Sequence, residues 1–156
     1  MAVQEKQDLS DGGQVDDGAH EVIKWKRPEP RSLKMNVDAG WTRANGQGYG
    51  LVVRDHEGEC LFASVSFSPY RLSPLLAEAM GLRWALAEAL RMEMDAVIVE
   101  LDSTEVISCL VGRKCVANLE PIIQDCRDLA VKFISFSIIH TKREGNRVAH
   151  KLASDM

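Results

Sequence analysis

The chain has 156 residues, of which 46% are hydrophobic and 27% charged, and its formal net charge is −4. Such a length suits one domain with a substantial core, and the composition is that of a soluble globular protein. No apolar run approaches the ~20 residues of a membrane-spanning helix. The acidic N-terminal stretch has neither the apolar segment of a secretory signal nor the basic character of an organellar transit peptide, so we expect an intracellular protein, in the nucleus or the cytoplasm.

The charge is unevenly distributed along the chain. Residues 1–23 hold six acidic residues and one basic residue, whereas residues 24–156 hold 17 acidic and 18 basic residues. Because the first stretch is rich in Gly, Asp and Gln and poor in apolar residues, we predict a disordered acidic tail over 1–23 and one domain over 24–156. A domain this close to neutrality is not typical of a strong non-specific nucleic-acid binder, so a polyanion would need a local basic patch and metal ions.

The cysteines give no sign of a disulfide framework or a zinc site. None of the four belongs to a CxxC pair, and most have apolar neighbours in the sequence. This pattern predicts reduced core thiols at all four positions. The positions are Cys60, Cys109, Cys115 and Cys126.

The first half of the domain has the pattern of three strands. Residues 33–39 alternate between apolar and polar side chains, and a turn-rich loop containing Asn45-Gly46 follows. Residues 49–54 form a second apolar run, and after the turn at 55–58 a third alternating segment extends to Phe67, with its apolar residues on one face. These segments predict an antiparallel meander.

The period then changes to that of helices. Ser73-Pro74 is a typical helix start, and apolar residues recur at helical spacing to about Met92. The short apolar run 96–101 predicts a parallel strand, with a helix after Ser103, another helix to about Val131, a fifth strand over 133–140 and a last helix from about Asn146. The predicted fold is α/β, with the order βββαβααβα and a mixed five-stranded sheet flanked by helices on both faces.

Three acidic residues stand at unusual places in these elements. Asp38 lies near the end of the first strand, Glu78 falls within the apolar stripe of the long helix, and Asp102 ends the fourth strand. Each has an ordinary interpretation as well: a wet strand end for Asp38, an edge position for Glu78 and a helix cap for Asp102, although Ser103 competes for that cap. If the three converge, their oxygens suit Mg²⁺, and two such ions can clamp a phosphodiester for attack by water.

Four motifs carry a resemblance to a known family. These are VDAG, SPLLAEAMGLRWAL, VIVELDS and HTKREGNRVAHKLA, which occur in this order between residues 37 and 153. Together they resemble the ribonuclease H-like superfamily and, more closely, the plant reverse-transcriptase-like RNase H family, which is related to retroelements. The resemblance covers roughly 33–154, and it implies a three-layer fold with two metal ions and an RNA/DNA hybrid as the partner.

The resemblance also implies roles for individual residues. It assigns metal binding to Asp38, Glu78 and Asp102, with His150 at the fourth ligand position. His140 matches a catalytic histidine that assists proton transfer or product release, and the catalytic set is Asp38, Glu78, Asp102 and His140. The residues expected at the nucleic acid are Asn45, Gly48, Tyr49, Lys142, Arg143 and Asn146, of which Asn146 orients the loop before the last helix.

One departure from the family pattern bears on activity. The fourth ligand is usually Asp in an Ala-Asp pair, whereas here Ala149 precedes His150. An imidazole nitrogen suits Mn²⁺ or Zn²⁺ better than Mg²⁺. His150 could equally bind nothing, His140 could be a plain strand-end histidine, and the sequence leaves open whether Asp155 replaces the missing acid.

The 47 residues between Asp102 and His150 also contain no Lys/Trp-rich insertion of the kind that some ribonucleases H use to hold the hybrid. The sequence therefore favours a metal-dependent endoribonuclease that cleaves the RNA strand of RNA/DNA hybrids with Mg²⁺ or Mn²⁺. We expect it to act as a monomer without membrane contact. The alternatives are a catalytically impaired nucleic-acid-binding domain of retroelement origin, motivated by His150, and an interaction module whose acidic residues are relics.

Overall fold

The computed structural model describes residues 4–5 and 32–155, and one mixed β-sheet forms its centre. The strands are β1 Gln4–Glu5, β2 Leu33–Trp41, β3 Gln47–Arg54, β4 Cys60–Ser68, β5 Ala96–Leu101 and β6 Ser135–His140. Their order in the sheet is β1-β6-β5-β2-β3-β4. Strands β2, β3 and β4 are antiparallel neighbours, whereas β5 pairs parallel with both β2 and β6. The predicted mixed sheet of five strands is therefore confirmed, and the two residues of β1 extend it beyond β6.

Four helices cover the sheet. They are α1 Pro74–Arg91, α2 Thr104–Leu110, α3 Glu120–Ala130 and α4 Arg147–Ser154, with 3-10 turns at Ala117–Leu119 and Arg143–Asn146. The two predicted serine caps are present, because Ser73 Oγ accepts a hydrogen bond from the backbone N–H of Leu76 and Ser103 Oγ accepts one from that of Val106. Among the described residues, no helix is long and apolar enough to cross a membrane.

The main core lies between the sheet and the helices α1, α2 and α3. Met35 and Val37 of β2 point to this side, where Leu82 and Leu86 of α1 meet them, and all four side chains are buried. The two-residue period of β2 therefore places its apolar side chains on the packed face of the sheet and Lys34, Asn36 and Asp38 on the opposite face.

The second face of the sheet is covered by α4 over β2 and β3. This helix lies unusually close to the strands, because a Cβ on Gly50 would overlap the backbone oxygen of Ala149 and a Cβ on Gly40 would come within 2.6 Å of Ser154 Oγ. Gly40 and Gly50 face the small residues Ala149, Ala153 and Ser154 of α4 and so let this helix approach the sheet, which brings His150 to Asp38.

The polar residues on this second face are buried but paired. The Nζ of Lys34 lies 2.6 Å from a carboxylate oxygen of Glu100, and Asn36 Nδ2 donates a hydrogen bond of 2.7 Å to the other oxygen. A buried charge without a partner would be costly, so each of these groups depends on the others.

The prediction that all four cysteines are reduced is wrong for two of them. Cys109 and Cys115 form a disulfide, whereas Cys60 and Cys126 are free. The physical reason is local: after α2 the chain reverses through Gly112, whose φ is +86°, and this turn brings the two Cα atoms to 4.6 Å. The predicted disordered tail, 1–23, lies outside the described residues except for Gln4–Glu5, which form β1.

Candidate metal and nucleic-acid site

Three acidic side chains converge at one edge of the sheet. Asp38 lies in β2, Asp102 directly follows β5, and Glu78 reaches down from α1. Because β2 and β5 are parallel neighbours, their carboxyl ends lie at the same edge, and α1 packs across β2. One oxygen from each carboxylate lies within 4.8 Å of the other two. We call Asp38, Glu78 and Asp102 the acid cluster.

Asp38 is the most buried member of the acid cluster, with 3% of its surface exposed. Its Oδ1 accepts a hydrogen bond of 2.9 Å from the N–H of Ala39, and its Oδ2 lies 2.7 Å from Nδ1 of His150. Both oxygens therefore have a donor, so this carboxylate is held in one orientation, three residues before the end of β2.

Glu78 is held less completely. Its Oε1 accepts a hydrogen bond of 3.2 Å from the same N–H of Ala39, but its Oε2 is buried without a partner among the described residues. Burial, followed by the negative charge of Asp38, raises the pKa of Glu78 to about 10. At neutral pH the metal-free protein therefore keeps a proton on this side chain.

Asp102 has a related but milder environment. Burial and then the charge of Asp38 raise the pKa of Asp102, while the guanidinium of Arg143 acts in the opposite direction. The acid cluster is thus electrostatically strained without a cation, since carboxylates brought together oppose the ionisation of one another.

The acid cluster fits a divalent cation. It offers carboxylate oxygens, the ligands that Mg²⁺ and Mn²⁺ accept, and the unpartnered Oε2 of Glu78 is the kind of buried acceptor that a cation would satisfy. A bound cation would also remove the mutual repulsion that raises the pKa of Glu78.

His150 lies beside the acid cluster, in contact with Asp38. Its Nε2 is 3.3 Å from the guanidinium of Arg143 and its Nδ1 is 2.7 Å from Asp38 Oδ2. Arginine can only donate, so Nε2 must be the acceptor and Nδ1 must carry the hydrogen that is donated to Asp38. Both ring nitrogens of His150 are therefore engaged, and the ring would have to break one of these contacts to bind a metal ion.

The other predicted site residues fall into two groups. His140 is exposed at the end of β6. It pairs with Leu101 of β5, the residue that directly precedes Asp102. Lys142 and Arg143 are exposed in the loop that follows. Asn146 is buried instead, and its Nδ2 donates a hydrogen bond of 2.6 Å to the backbone oxygen of Val37, so it fixes the loop to β2 rather than reaching a ligand.

The structure corrects the expectation for Tyr49. Its ring is buried against Gly81 of α1 and lies 6.2 Å from the ring of Trp84, so this side chain is part of the core rather than of a nucleic-acid surface. Gly48 is buried in β3, whereas Asn45 is exposed in the loop before it, with φ of +60°. Asp155 follows the end of α4, five residues after His150, which places it more than a turn further along the helix and on a different side.

The sequence reasoning missed one feature near the site. Strand β2 continues past Asp38 to Trp41, whose ring is 54% exposed and carries the guanidinium of Arg71 at 4.3 Å. Arg71 also donates a hydrogen bond of 3.1 Å to Asn45 Oδ1. A Trp directly before a turn-rich loop was the available signal, but only the strand pairing shows that Arg71 reaches it.

The sheet order and the acid cluster at the ends of β2 and β5 together define a ribonuclease H-like fold, and the comparisons with known proteins agree. The family model described as reverse transcriptase-like matches residues 36–156, so the chain belongs to this family. No curated protein matches the chain.

Solved structures of several ribonucleases H are similar. The N-terminal RNase H domain of Rv2228c from Mycobacterium tuberculosis is 27% identical, over 78% of this chain and 90% of that one, with a TM-score of 0.69. RNase H1 from Halobacterium salinarum is 23% identical over 78% and 94%, with a TM-score of 0.72. LC11-RNase H1, solved in complex with an RNA/DNA hybrid, is 22% identical over 78% and 93%, with a TM-score of 0.67. These matches establish the predicted ribonuclease H fold.

Proposed function

We propose that the protein is a metal-dependent endoribonuclease that hydrolyses the RNA strand of RNA/DNA hybrids. The observation that carries the proposal is the acid cluster, in which a buried Glu78 has an oxygen without a partner and a pKa of about 10. Such an arrangement is unfavourable for stability alone, because burial and repulsion both oppose ionisation. It becomes useful when a cation and a phosphate are bound.

Two divalent ions, Mg²⁺ or Mn²⁺, would supply a polarised phosphate and a more acidic water when bound. Asp38 would contact both ions, Glu78 and Asp102 would hold one, and His150 would face the other. The donors on the chain keep this set in place, since the Ala39 N–H orients both Asp38 and Glu78. The exposed side chains of Lys142 and Arg143 stand beside the acid cluster and would bind phosphate oxygens.

Selection of the hybrid would come from the shape of its two strands. A protein can read 2′-hydroxyl groups on the RNA strand across the minor groove, whereas the DNA strand has none. Asn45 lies in the loop that follows β2, beyond the strand that carries Asp38, which is where a duplex that crosses the acid cluster would continue.

A second candidate function is supported by His150. Because both of its ring nitrogens already have partners, the position of the usual fourth carboxylate holds a side chain that donates to Asp38 and offers no carboxylate oxygen. This favours a domain of retroelement origin that binds RNA or a hybrid and cleaves it slowly or not at all.

The experiment is a cleavage assay on an end-labelled RNA/DNA hybrid, with Mg²⁺ and Mn²⁺ in parallel. Single-stranded RNA, duplex RNA and duplex DNA are added as competitors that differ from the hybrid in structure. Metal-dependent cutting of the hybrid RNA that is lost in Asp38→Asn supports the endoribonuclease. Tight hybrid binding without cutting by the parent protein supports the binding domain. Neither binding nor cutting would leave the interaction module as the remaining alternative.

A further inference from the structure

Strand β4 is an edge strand with an uncovered apolar face. Its pairing places Val65 opposite Gly50 and Phe67 opposite Gly48, so both lie on the face of the sheet that α4 covers over β2 and β3. Helix α4 contacts β4 but leaves much of its apolar face uncovered, and Leu61, Val65 and Phe67 are 57%, 45% and 48% exposed. Val148 on α4 is also half exposed.

The edge itself lacks most of the features that usually protect one. Natural edge strands avoid pairing with other chains by carrying charges or proline, by being short, or by a bulge. Strand β4 is nine residues long, and residues 60–68, CLFASVSFS, contain no charged residue and no proline. A bulge at Leu61 interrupts its pairing with β3 near the start of the strand. Within the described part of the chain, no strand pairs with the outer edge of β4.

The sequence of β4 is complementary to itself in the antiparallel direction. If a second copy pairs about a two-fold axis through Ser64, Leu61 lies opposite the partner's Phe67 and Ala63 opposite the partner's Val65. All of these apolar residues then meet on one face, which is what stabilises neighbouring strands. An axis between Ser64 and Val65 would instead set Leu61, Ala63 and Val65 opposite serines, with Phe62 and Phe67 as the remaining apolar pair.

The charges at the two ends of β4 favour the same direction. Glu57 and Glu59 precede the strand, and Arg71 follows it. An antiparallel pair brings the acidic end of each copy beside the basic end of the other, whereas a parallel pair would put the acidic ends together. Opposite charges favour the first arrangement and like charges disfavour the second.

We propose that two copies of this chain associate through β4 to form one continuous sheet across a two-fold axis at Ser64. Two paired edge strands bury less than the roughly 1,600 Å² of a typical stable interface, so the dimer is weak and forms as concentration rises. A dilute sample is then the monomer expected from the sequence. Strand β4 lies two strands from β2, about 10 Å away, so the acid cluster stays open in the dimer.

The test uses sedimentation of the full chain at concentrations from about 5 μM to about 500 μM, a range that covers weak dimers of this kind. The parent should shift from monomer to dimer. Val65→Lys and Val65→Asp should each stay monomeric, because residue 65 and the partner's residue 65 are diagonal neighbours on one face. A mixture of the two variants should dimerise again, which misfolded variants could not do. Ile134→Lys, at an exposed apolar residue outside β4, is the matched control and should dimerise like the parent.

The register is tested by cysteine cross-linking. In the proposed pairing Ser68 lies opposite the partner's Cys60, at a spacing that suits a disulfide, while Ser66 lies opposite the partner's Phe62. Ser68→Cys should therefore form a covalent dimer under mild oxidation, and Ser66→Cys should not. A parent that stays monomeric throughout overturns the proposal, and so does a dimer that both Val65 variants leave intact.

Discussion

Nδ1 of His150 lies 2.7 Å from Oδ2 of Asp38, and the opposite nitrogen of the ring lies 3.3 Å from the guanidinium of Arg143. The three side chains form a chain of hydrogen bonds from the surface to the most buried acid. Arg143 keeps the ring in the tautomer that donates to Asp38, and the ring in turn occupies one oxygen of that carboxylate. The same oxygen would otherwise be available to a cation.

His150→Asp should therefore raise Mg²⁺-dependent cleavage of the hybrid. The substitution removes a donor from Asp38 and adds an oxygen ligand, which Mg²⁺ prefers to nitrogen. The contribution of one metal ion to charge stabilisation and water activation is worth several kcal/mol, so we expect an increase of about tenfold or more. The measurement is the rate of RNA-strand cleavage with Mg²⁺ and with Mn²⁺.

His150→Asn is the matched control, because it has the shape of Asp without the charge. It should not raise the Mg²⁺-dependent rate. If His150→Asp also leaves the rate within about twofold of the parent, position 150 does not act as a metal ligand in this protein.

The stability of the metal-free protein should fall as pH rises. The pKa of Glu78 is raised from its ordinary value of 4.5 to about 10 in the folded state. The stabilisation that protonated Glu78 contributes is fully present at a pH below its ordinary pKa of 4.5. It is lost progressively as pH rises from there through the pKa of about 10 in the folded state, because the unfolded state gives up the proton first. Urea denaturation in EDTA across that window measures the slope.

Glu78→Gln should flatten that pH dependence, because the amide mimics the protonated carboxyl at every pH. In the parent, the affinity for a divalent metal ion should increase as pH rises, because the ion must displace the Glu78 proton. Glu78→Gln has no such proton, so its metal affinity should not show this increase. The same pH slope in both proteins would show that Glu78 is ionised in the metal-free fold.

The sequence allowed the element order and the acid cluster to be predicted, because each rests on a local signal. The two-residue and helical periods place Asp38, Glu78 and Asp102 on elements that a mixed sheet brings to one edge. The serine caps at Ser73 and Ser103 are likewise local, since each bonds an N–H three residues later.

What the sequence could not provide depends on contacts between distant segments. The contact between His150 and Asp38 requires the approach of α4 to the sheet, and Tyr49 is buried because α1 presents Gly81 to it. The alternation in β4 indicates an apolar face but not which helix covers it, and in the fold α4 covers that face only in part. The disulfide between Cys109 and Cys115 follows from a turn that spacing alone does not reveal.

Asp38→Asn should leave the metal-free protein at least as stable as the parent. The charge of Asp38 opposes the ionisation of both Glu78 and Asp102, so a neutral amide relieves that repulsion. Thermal melts with and without Mg²⁺ should show stabilisation by the ion in the parent and little in the variant. Asp95→Asn, at an exposed acid before β5, is the control and should keep the parent's response. An equal shift in Asp38→Asn would mean that the ion binds elsewhere.

Gly50→Ala should uncouple α4 from the sheet. A Cβ at this position would overlap the backbone oxygen of Ala149, and a backbone atom cannot move aside as a side-chain end can. Overpacking of this kind costs about 3 kcal/mol of unfolding free energy. Displacement of α4 should also separate His150 from Asp38, so the NMR signal of the Nδ1–H proton should be lost along with protection of the α4 amides from exchange.

Gly112→Ala provides the contrast for that experiment. Gly112 has φ of +86° but nothing within 4 Å of an added Cβ, so the substitution carries only the backbone cost of about 1–2 kcal/mol. It should leave the His150 proton signal and the protection of α4 unchanged. If Gly50→Ala unfolds at the same urea concentration as the parent and keeps the His150 signal, α4 does not depend on the glycine for its approach, and the contact between His150 and Asp38 has another cause.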